Sequence, residues 1–147
     1  MVATAAGSLV LSFLLDTNVV SEIARPRPHA GVVRRYQAHH AQLALPTPAW
    51  HELQYGCLRL PTGVRRQVLQ DFLNQVVGAL PKLAYDARAA LTHAELRPEA
   101  GAQGRVLPML DAQIAAIAIT QGLTLVTRNT RDFEGLPGLR LANWFED

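Results

Sequence analysis

Thiols, aromatic residues and long apolar runs are all scarce in this sequence. Cys57 is the one cysteine among 147 residues, which excludes an internal disulfide and a metal site built from several thiolates. A chain without disulfides is typical of reducing compartments, so we expect a cytoplasmic protein. Aromatic residues account for 6% of the chain, and aliphatic side chains and alanine must therefore supply most of the core.

No apolar run reaches the roughly 18 residues that a membrane-spanning helix needs, and we expect no membrane partner. The apolar start of the chain has no basic residue before Asp16, unlike a signal peptide. We interpret residues 1–8 as a flexible N-terminal extension. Residues 1–147 are predicted to form a single domain, because a chain of this length can bury one core.

An excess of charge is also lacking, since 14 basic residues face 12 acidic ones and the formal net charge is +2. Lys82 is the one lysine, so arginine supplies almost all of the positive charge. Arginine suits phosphate better than lysine does, but so small an excess does not by itself indicate a nucleic-acid partner. The argument for function must therefore rest on where particular side chains lie.

Apolar segments alternate with helical ones along the chain. The predicted strands are Leu9–Leu15, Gln42–Leu45, Lys82–Ala84, Leu123–Thr127 and Leu139–Leu141. The predicted helices are Thr17–Ala24, Gly31–His40, Pro48–Arg59, Gly63–Val77, Asp86–Leu96 and Pro108–Ile119. This alternation predicts an α/β fold in which a mainly parallel central sheet lies between two layers of helices.

Three further expectations concern one helix and two loops. In Gly63–Val77 we expect an inward-facing apolar set that consists of Val64, Val68, Phe72, Leu73 and Val76. Arg97–Arg105 contains one proline and two glycines and is predicted to be a loop. Arg128–Gly138 is predicted to be a loop with a possible helical turn.

Four acidic residues map to one edge of the predicted sheet. Ligands of parallel sheets bind outside the carboxyl ends of the strands. Asp16 directly ends the first strand, and Asp132 lies in the loop after the fourth. Glu52 lies early in the helix after the second strand, and Asp111 lies near the start of an apolar helix. Carboxylates crowded together repel one another unless a cation is bound, and oxygen ligands favour Mg²⁺ or Mn²⁺ over zinc.

Each acid also has a simpler interpretation. Asp16 and Asp111 would serve as caps of the helices that follow them, and Glu52 would be a solvated residue favoured by the helix dipole. Asp132 would be a loop carboxylate paired with Arg128 or Arg131. The four interpretations are separate, whereas one metal site accounts for all four positions together.

The sequence resembles PIN-domain nucleases, particularly the VapC-type toxins of bacterial toxin–antitoxin pairs. The segments that carry the resemblance are Phe13–Glu22 (FLLDTNVVSE), Pro48–Leu53 (PAWHEL), Met109–Ala118 (MLDAQIAAIA) and Leu125–Phe133 (LVTRNTRDF). Each motif alone is weak, but their order and spacing together are specific. The resemblance implies a PIN-like α/β/α sandwich, RNA cleavage that depends on Mg²⁺ or Mn²⁺, a VapB-like antitoxin as partner and a homodimer.

The resemblance also assigns roles to residues. It implies that Asp16, Glu52, Asp111 and Asp132 are catalytic and that Asp16 and Asp111 bind the metal directly. Many relatives place their fourth carboxylate where this chain has Asn129, so Asp132 would supply it from further along the loop. Four residues match supporting polar positions, namely Thr17, Asn18, Thr127 and Asn129. Four arginines are candidates to hold the RNA backbone or else are solvated surface residues: Arg25, Arg27, Arg128 and Arg131.

The predicted reaction is hydrolysis of an RNA phosphodiester by a water molecule that a bound metal ion activates. One alternative is a small Mg²⁺-dependent phosphatase, but that chemistry often uses a second aspartate two residues after the first, where this chain has Asn18. The other alternative is a PIN-like module that binds RNA or a partner without cutting. For the Gly63–Val77 helix, a contact between copies of the chain is an alternative to core packing.

Overall fold

The computed structural model describes residues 10–146 of the chain, and the predicted N-terminal extension lies outside them. Five parallel strands form one sheet in the order β3-β2-β1-β4-β5. They are β1 (Phe13–Leu15), β2 (Leu43–Pro46), β3 (Lys82–Leu83), β4 (Thr124–Val126) and β5 (Arg140–Ala142). The predicted α/β class and parallel sheet are therefore confirmed.

Six helices connect the strands. They are α1 (Thr17–Ile23), α2 (Ala30–Ala38), α3 (Thr47–Leu58), α4 (Val64–Gln75), α5 (Ala87–Ala102) and α6 (Met109–Gln121). The chain moves from β1 outward to β3 and then crosses back to β4 and β5. Because such crossovers are right-handed, α1 to α4 cover one face of the sheet and α5 and α6 cover the other. This arrangement gives the three layers.

The core consists of the inner strands and the helices packed on them. Leu14, Leu15, Leu125 and Val126 are fully buried, as the continuous apolar runs predict for strands covered on both faces. Helix α6 buries an almost unbroken run, Ile114–Ala118, and it ends at Gly122, whose left-handed backbone (φ 67°) favours glycine. Strand β1 and its neighbour β4 therefore form a rigid support for whatever follows their carboxyl ends.

The predicted loop over Arg97–Arg105 is wrong in its first half. Helix α5 continues to Ala102 with Pro98 inside it, although an interior proline removes a hydrogen bond and costs about 3 kcal/mol or more. Leu96 and Ala100, on either side of the proline, are both buried. Burial of these residues outweighs the local preference, and only the segment after Gln103 is a connection.

The predicted inward face of α4 is confirmed for Phe72 and Leu73 but is wrong for its three valines. Leu73 is fully buried and Phe72 packs against the core. Val64 is 81% exposed, Val68 is 63% exposed and Val76 is 37% exposed. Helix α4 therefore buries only a narrow stripe and presents its valines to solvent.

Candidate active site

Strands β1 and β4 are direct neighbours, and their carboxyl ends lie side by side. Leu15 is in register with Val126, and the N–H of Asp16 donates to the carbonyl of Val126 at 2.9 Å. Asp16 and Thr127 therefore follow adjacent strands at the same edge of the sheet. The chain leaves β1 and β4 in opposite directions across the sheet, and such a switch point is where ligands of open α/β sheets bind.

Asp16 is held by hydrogen bonds to both of its carboxylate oxygens. Its Oδ1 accepts from the N–H of Thr17 at 2.8 Å, which caps α1. Its Oδ2 accepts from the hydroxyl of Thr127 at 2.8 Å and from the amide of Asn18 at 3.4 Å. The capping interpretation of Asp16 is thus confirmed, and it leaves the carboxylate facing the pocket described below.

Thr127 connects the predicted supporting residues into one network. It is fully buried, and its Oγ1 accepts from the Asn18 side-chain amide at 3.3 Å and from the N–H of Asn129 at 3.1 Å. Asn18 in turn accepts from the N–H of Arg128 through Oδ1 at 3.2 Å. The network fixes the start of α1 against the segment that leaves β4.

An open pocket of about 560 Å³ lies at this edge of the sheet. It brings together three of the four predicted acids with three of the predicted supporting residues. Its lining consists of Asp16, Thr17, Asn18, Ser21, Glu22, Arg25, Glu52, Leu110, Asp111 and Asn129. Residues from β1, α1, α3, α6 and the segment after β4 therefore converge although they are far apart in sequence.

Two acids of the pocket resist ionisation. Burial raises the pKa of Asp16, and the charge of Asp132 raises it further, while hydrogen bonds from Thr127 and Thr17 oppose the shift. Burial also raises the pKa of Asp111, and the charges of Asp16 and then Asp132 add to the effect. These groups are partly desolvated and repel one another, so a cation placed between them would be bound favourably.

Asp111 lies in the first turn of α6, but it does not cap that helix. Pro108 occupies the cap position and makes no side-chain cap bond. The capping interpretation of Asp111 is therefore wrong. The helix dipole still favours a carboxylate in the first turn, which helps to hold the charge at the pocket.

Glu52 lies at the rim of the pocket, and Asp132 lies outside its lining. The side chain of Glu52 is 43% exposed and approaches the His51 ring at 3.9 Å. Asp132 is exposed, lies in a 3-10 turn (Thr130–Asp132) and does not line the pocket. The two ion pairs within residues 10–146 are Arg25–Glu22 and His51–Glu52, so the ion pair with Arg128 or Arg131 is absent there.

The donor set suits a hard cation that retains other oxygen ligands. Within residues 10–146, no three Asp, Glu, His or Cys side chains are grouped so that they could hold a metal ion by themselves. Mg²⁺ is usually bound through one or two carboxylates, with water and phosphate oxygens completing its octahedron. Asp16 and Asp111 fit this requirement, and the Thr17 hydroxyl, a buried polar atom with no partner among the described residues, is a further oxygen at the pocket.

Glu22 is a pocket residue that the sequence did not predict. This carboxylate is 7% exposed, lines the pocket and accepts from the N–H of His29 at 2.9 Å and from Arg25 at 3.1 Å. Burial acts to raise the pKa of Glu22, but the His29 N–H, Arg25 and Arg128 outweigh it and hold the pKa below its usual value. The available signal is the spacing of Asn18 and Glu22, which places both on one face of α1, with Arg25 following just after the helix.

The four candidate RNA-binding arginines divide into two pairs. Arg25 lines the pocket, and the guanidinium of Arg128 lies 4.6 Å from the centre of the Phe145 ring. Arg27 and Arg131 are exposed and do not line the pocket. All four arginines are exposed, and Arg128 does not line the pocket either. Arg25 and Arg128 differ from the other two because Arg25 donates to Glu22 at 3.1 Å and the charge of Arg128 helps to lower the pKa of Glu22.

A second, apolar groove of about 650 Å³ adjoins the acidic pocket. Helices α1, α3 and α4 form its walls, with Leu53, Leu69, Phe72 and Val68 among the lining residues. Thr17, Ser21, Arg25 and Glu52 line both cavities. Any molecule that filled the groove would therefore reach the rim of the acidic pocket.

No helix within residues 10–146 has the length and apolar character needed to span a membrane.

Comparison with known proteins shows the same fold and the same sequence pattern. The PIN domain model matches residues 13–139. A tRNA(fMet)-specific endonuclease VapC of Shigella flexneri is 33% identical over 92% of this chain and 99% of its own length. Toxin FitB of Neisseria gonorrhoeae is 35% identical over 82% of this chain and 89% of its own. A crystal structure of DNA-bound VapBC from Salmonella typhimurium contains a chain with a TM-score of 0.81 and 27% identity, and the match covers 92% of this chain and 99% of that one.

Proposed function

Because the chain belongs to the PIN domain family, we propose that it is an endoribonuclease that acts as the toxin of a toxin–antitoxin pair. The observation that carries the proposal is the convergence of Asp16, Glu52 and Asp111 on one pocket, where two of them are partly desolvated. A relative that shares a third of its sequence is named as an endonuclease specific for tRNA(fMet), and another is named as a toxin. RNA is accordingly the proposed substrate.

Asp16 and Asp111 would hold the divalent ion, and Mg²⁺ or Mn²⁺ suits their oxygen ligands best. Once bound, such an ion lowers the pKa of water and stabilises negative charge on the phosphate oxygens. The hydrogen bonds from Thr127 and Thr17 fix the two oxygens of Asp16. The protein therefore presents this carboxylate in one orientation before any substrate arrives.

The remaining side chains act on the attacking water and on the RNA. Glu52, half-exposed at the rim, would accept a hydrogen bond and then a proton from that water through its carboxylate. Asp132 adds negative charge near Asp16 and Asp111. Arg25 and Arg128 offer their guanidinium groups to the phosphates on either side of the cleaved bond.

The apolar groove is the proposed docking surface for a VapB-like antitoxin. It is lined by apolar side chains of α1, α3 and α4 and shares part of its rim with the acidic pocket. A bound apolar segment would cover Arg25 and Glu52 and would so block access to the acids. The solved VapBC relative is a complex bound to DNA. A homodimer stays a prediction, as do the single-domain organisation and the cytoplasmic location.

The test is RNA cleavage by the purified protein with Mg²⁺, with Mn²⁺ and with chelator, beside the Asp16→Ala variant. Asp71→Asn is the matched control, because Asp71 is an exposed acid on α4 outside the pocket. We expect cleavage by wild type and Asp71→Asn with metal, and none by Asp16→Ala. If wild type cleaves no better than Asp16→Ala in either metal, the nuclease proposal is wrong and a non-cleaving module becomes the better interpretation.

A further inference from the structure

Arg105 lies in the short connection between α5 and α6, just before the helix that carries Asp111. Its backbone is tied to the end of α5, because its N–H donates to the carbonyl of Ala100 at 3.0 Å. The residue is half-buried. Its side chain therefore starts from a fixed point at the end of α5.

The guanidinium group of Arg105 reaches across to the segment that carries Asp132. Nη1 donates to the backbone carbonyl of Asp132 at 3.2 Å, and Nη2 donates to the carbonyl of Glu134. Gln103, two residues earlier, donates through Nε2 to the carbonyl of Gly135 at 2.9 Å. The connection between α5 and α6 thus donates hydrogen bonds to three carbonyls of the segment that follows β4. The planar guanidinium group of Arg105 donates to two of them at once.

These contacts join the two segments that carry Asp111 and Asp132. The Asp132 segment leaves β4 and does not enter a strand again until Arg140. Phe133 and Leu136 are buried and anchor its apolar side, but the carboxylate of Asp132 is on the exposed side. The position of that carboxylate depends on the backbone of a single 3-10 turn, and Arg105 holds the carbonyl of that same residue.

Stability alone does not account for an arginine here. The Nε of Arg105 is buried and has no hydrogen-bond partner within the part of the chain that the structure describes. An unsatisfied buried donor is destabilising, and this offsets much of what the two carbonyl bonds contribute. An apolar side chain of similar length would fill the space without that cost.

We propose that Arg105 is a positioning residue that holds the Asp132 turn against the segment leading to Asp111, so that the Asp132 carboxylate stays close to the pocket that Asp111 lines. The proposal rests on the proposed nuclease function for its effect on catalysis. The hydrogen bonds from Arg105 to the Asp132 segment belong to the fold and do not depend on that function. Arg105 does not touch the substrate in this scheme and acts through Asp132.

The experiment compares wild type with Arg105→Met, Arg105→Lys and, as a matched control, Arg140→Met. Arg140 donates to the carbonyl of Gly122 at 2.5 Å at the opposite edge of the sheet. Methionine retains the length and apolar character of the stem, whereas lysine retains the charge but lacks the fork. Amide hydrogen exchange of residues 129–136, the melting temperature, kcat and KM are measured for each protein.

We expect Arg105→Met to exchange at least about 10-fold faster over residues 129–136, as local opening becomes easier. Its kcat should fall about 10-fold with KM within about 2-fold, because small misplacements of a reacting group are costly. Arg105→Lys should lie between it and wild type, and Arg140→Met should match wild type in both measurements. Unchanged exchange over residues 129–136 in Arg105→Met overturns the proposal, and if that variant does not fold, unchanged exchange in Arg105→Lys does so.

A double-mutant cycle separates positioning from a general structural role. If Arg105 acts through Asp132, Arg105→Met adds no further loss of kcat in an Asp132→Asn background. Additive losses overturn the proposal. If wild type cleaves no RNA, the nuclease proposal fails, and the exchange measurements alone decide whether Arg105 holds the turn.

Discussion

The hydroxyl of Thr127 donates a 2.8 Å hydrogen bond to Oδ2 of Asp16, and 111 positions of sequence separate the two residues. Thr127 is fully buried and Asp16 is 7% exposed, so water does not compete well for either partner. The bond acts against the burial that raises the pKa of Asp16. It therefore controls both the orientation and the charge of the carboxylate that ends β1.

Replacing Thr127 with valine should lower the rate of RNA cleavage by about 10- to 100-fold, since hydrogen bonds to charged groups contribute about 1.5–3 kcal/mol. Valine keeps the shape of threonine but cannot donate, so the pKa of Asp16 rises and its orientation loosens. Thr127→Ser retains the hydroxyl and should stay within a few-fold of wild type. Cleavage assays of both variants at saturating metal provide the measurement, and equal rates for the two would contradict the role given to this bond.

Neutralising Asp111 should stabilise the metal-free protein. Burial and the charges of Asp16 and Asp132 raise the pKa of Asp111 above its ordinary value of 3.8. At pH values between the ordinary pKa and the raised pKa of the folded protein, the folded protein binds more protons than the unfolded chain. Protonation of Asp111 therefore contributes its full stability below the ordinary pKa, and this contribution is lost as the pH rises through the folded pKa.

Asp111→Asn should therefore melt above metal-free wild type near pH 7, by roughly 2–4 °C if the gain is about 1 kcal/mol. The difference should shrink toward zero as the pH falls through the raised pKa of Asp111 and below 3.8, because wild type then becomes protonated at this position. Mn²⁺ should raise the melting temperature of wild type more than that of Asp111→Asn, because it binds only the folded acids. Thermal melts of both proteins over this pH range, with chelator or with Mn²⁺, measure these three outcomes. A difference in melting temperature that grows as the pH falls would contradict the prediction.

Arg128 should contribute more to RNA binding than Arg27. Its guanidinium is held over the Phe145 ring at 4.6 Å, and less side-chain entropy is lost when it binds a phosphate. In an Asp16→Ala background, which prevents cleavage, Arg128→Met should weaken binding and reduce the slope of log affinity against log salt by about 1. Arg27→Met, which changes an exposed arginine outside the pocket, is the comparison. Equal losses from both variants would show that the position of Arg128 is unimportant.

The sequence predicts those parts of the fold and site that depend on local signals. The continuous apolar run that ends at Asp16 predicts that this residue lies at the edge of the sheet. An aspartate inside an otherwise apolar helix predicts that Asp111 either caps the helix or binds a ligand. Pro98 was misjudged because tertiary burial of its neighbours outweighs a helix-breaking preference. Arg105 carried no signal at all, since its partners are backbone carbonyls 27 and 29 positions away.

The valines of α4 are a second case in which the sequence pattern does not determine burial. Their helical spacing predicted core packing, but a periodic apolar stripe does not reveal what covers it. Val64 and Val68 are among the most exposed apolar residues, and Val68 lines the groove beside the acids. Such exposure is typical of a surface that binds a partner.

A charge placed in the apolar groove should prevent inhibition without unfolding the protein. Val68 and Leu91 are 63% and 64% exposed, but only Val68 lines the groove, and Leu91 lies on α5 on the opposite face of the sheet. Val68→Glu would have to bury an unpaired carboxylate when a partner docks, which is strongly unfavourable. We therefore expect cells that co-express Val68→Glu with a cognate VapB-like antitoxin to stop growing, whereas Leu91→Glu remains neutralised. Both variants should cleave RNA like wild type in the absence of the antitoxin, because neither side chain lines the acidic pocket. Neutralisation of both variants alike would place the antitoxin outside the groove, and release of both would point to a general loss of complex stability instead.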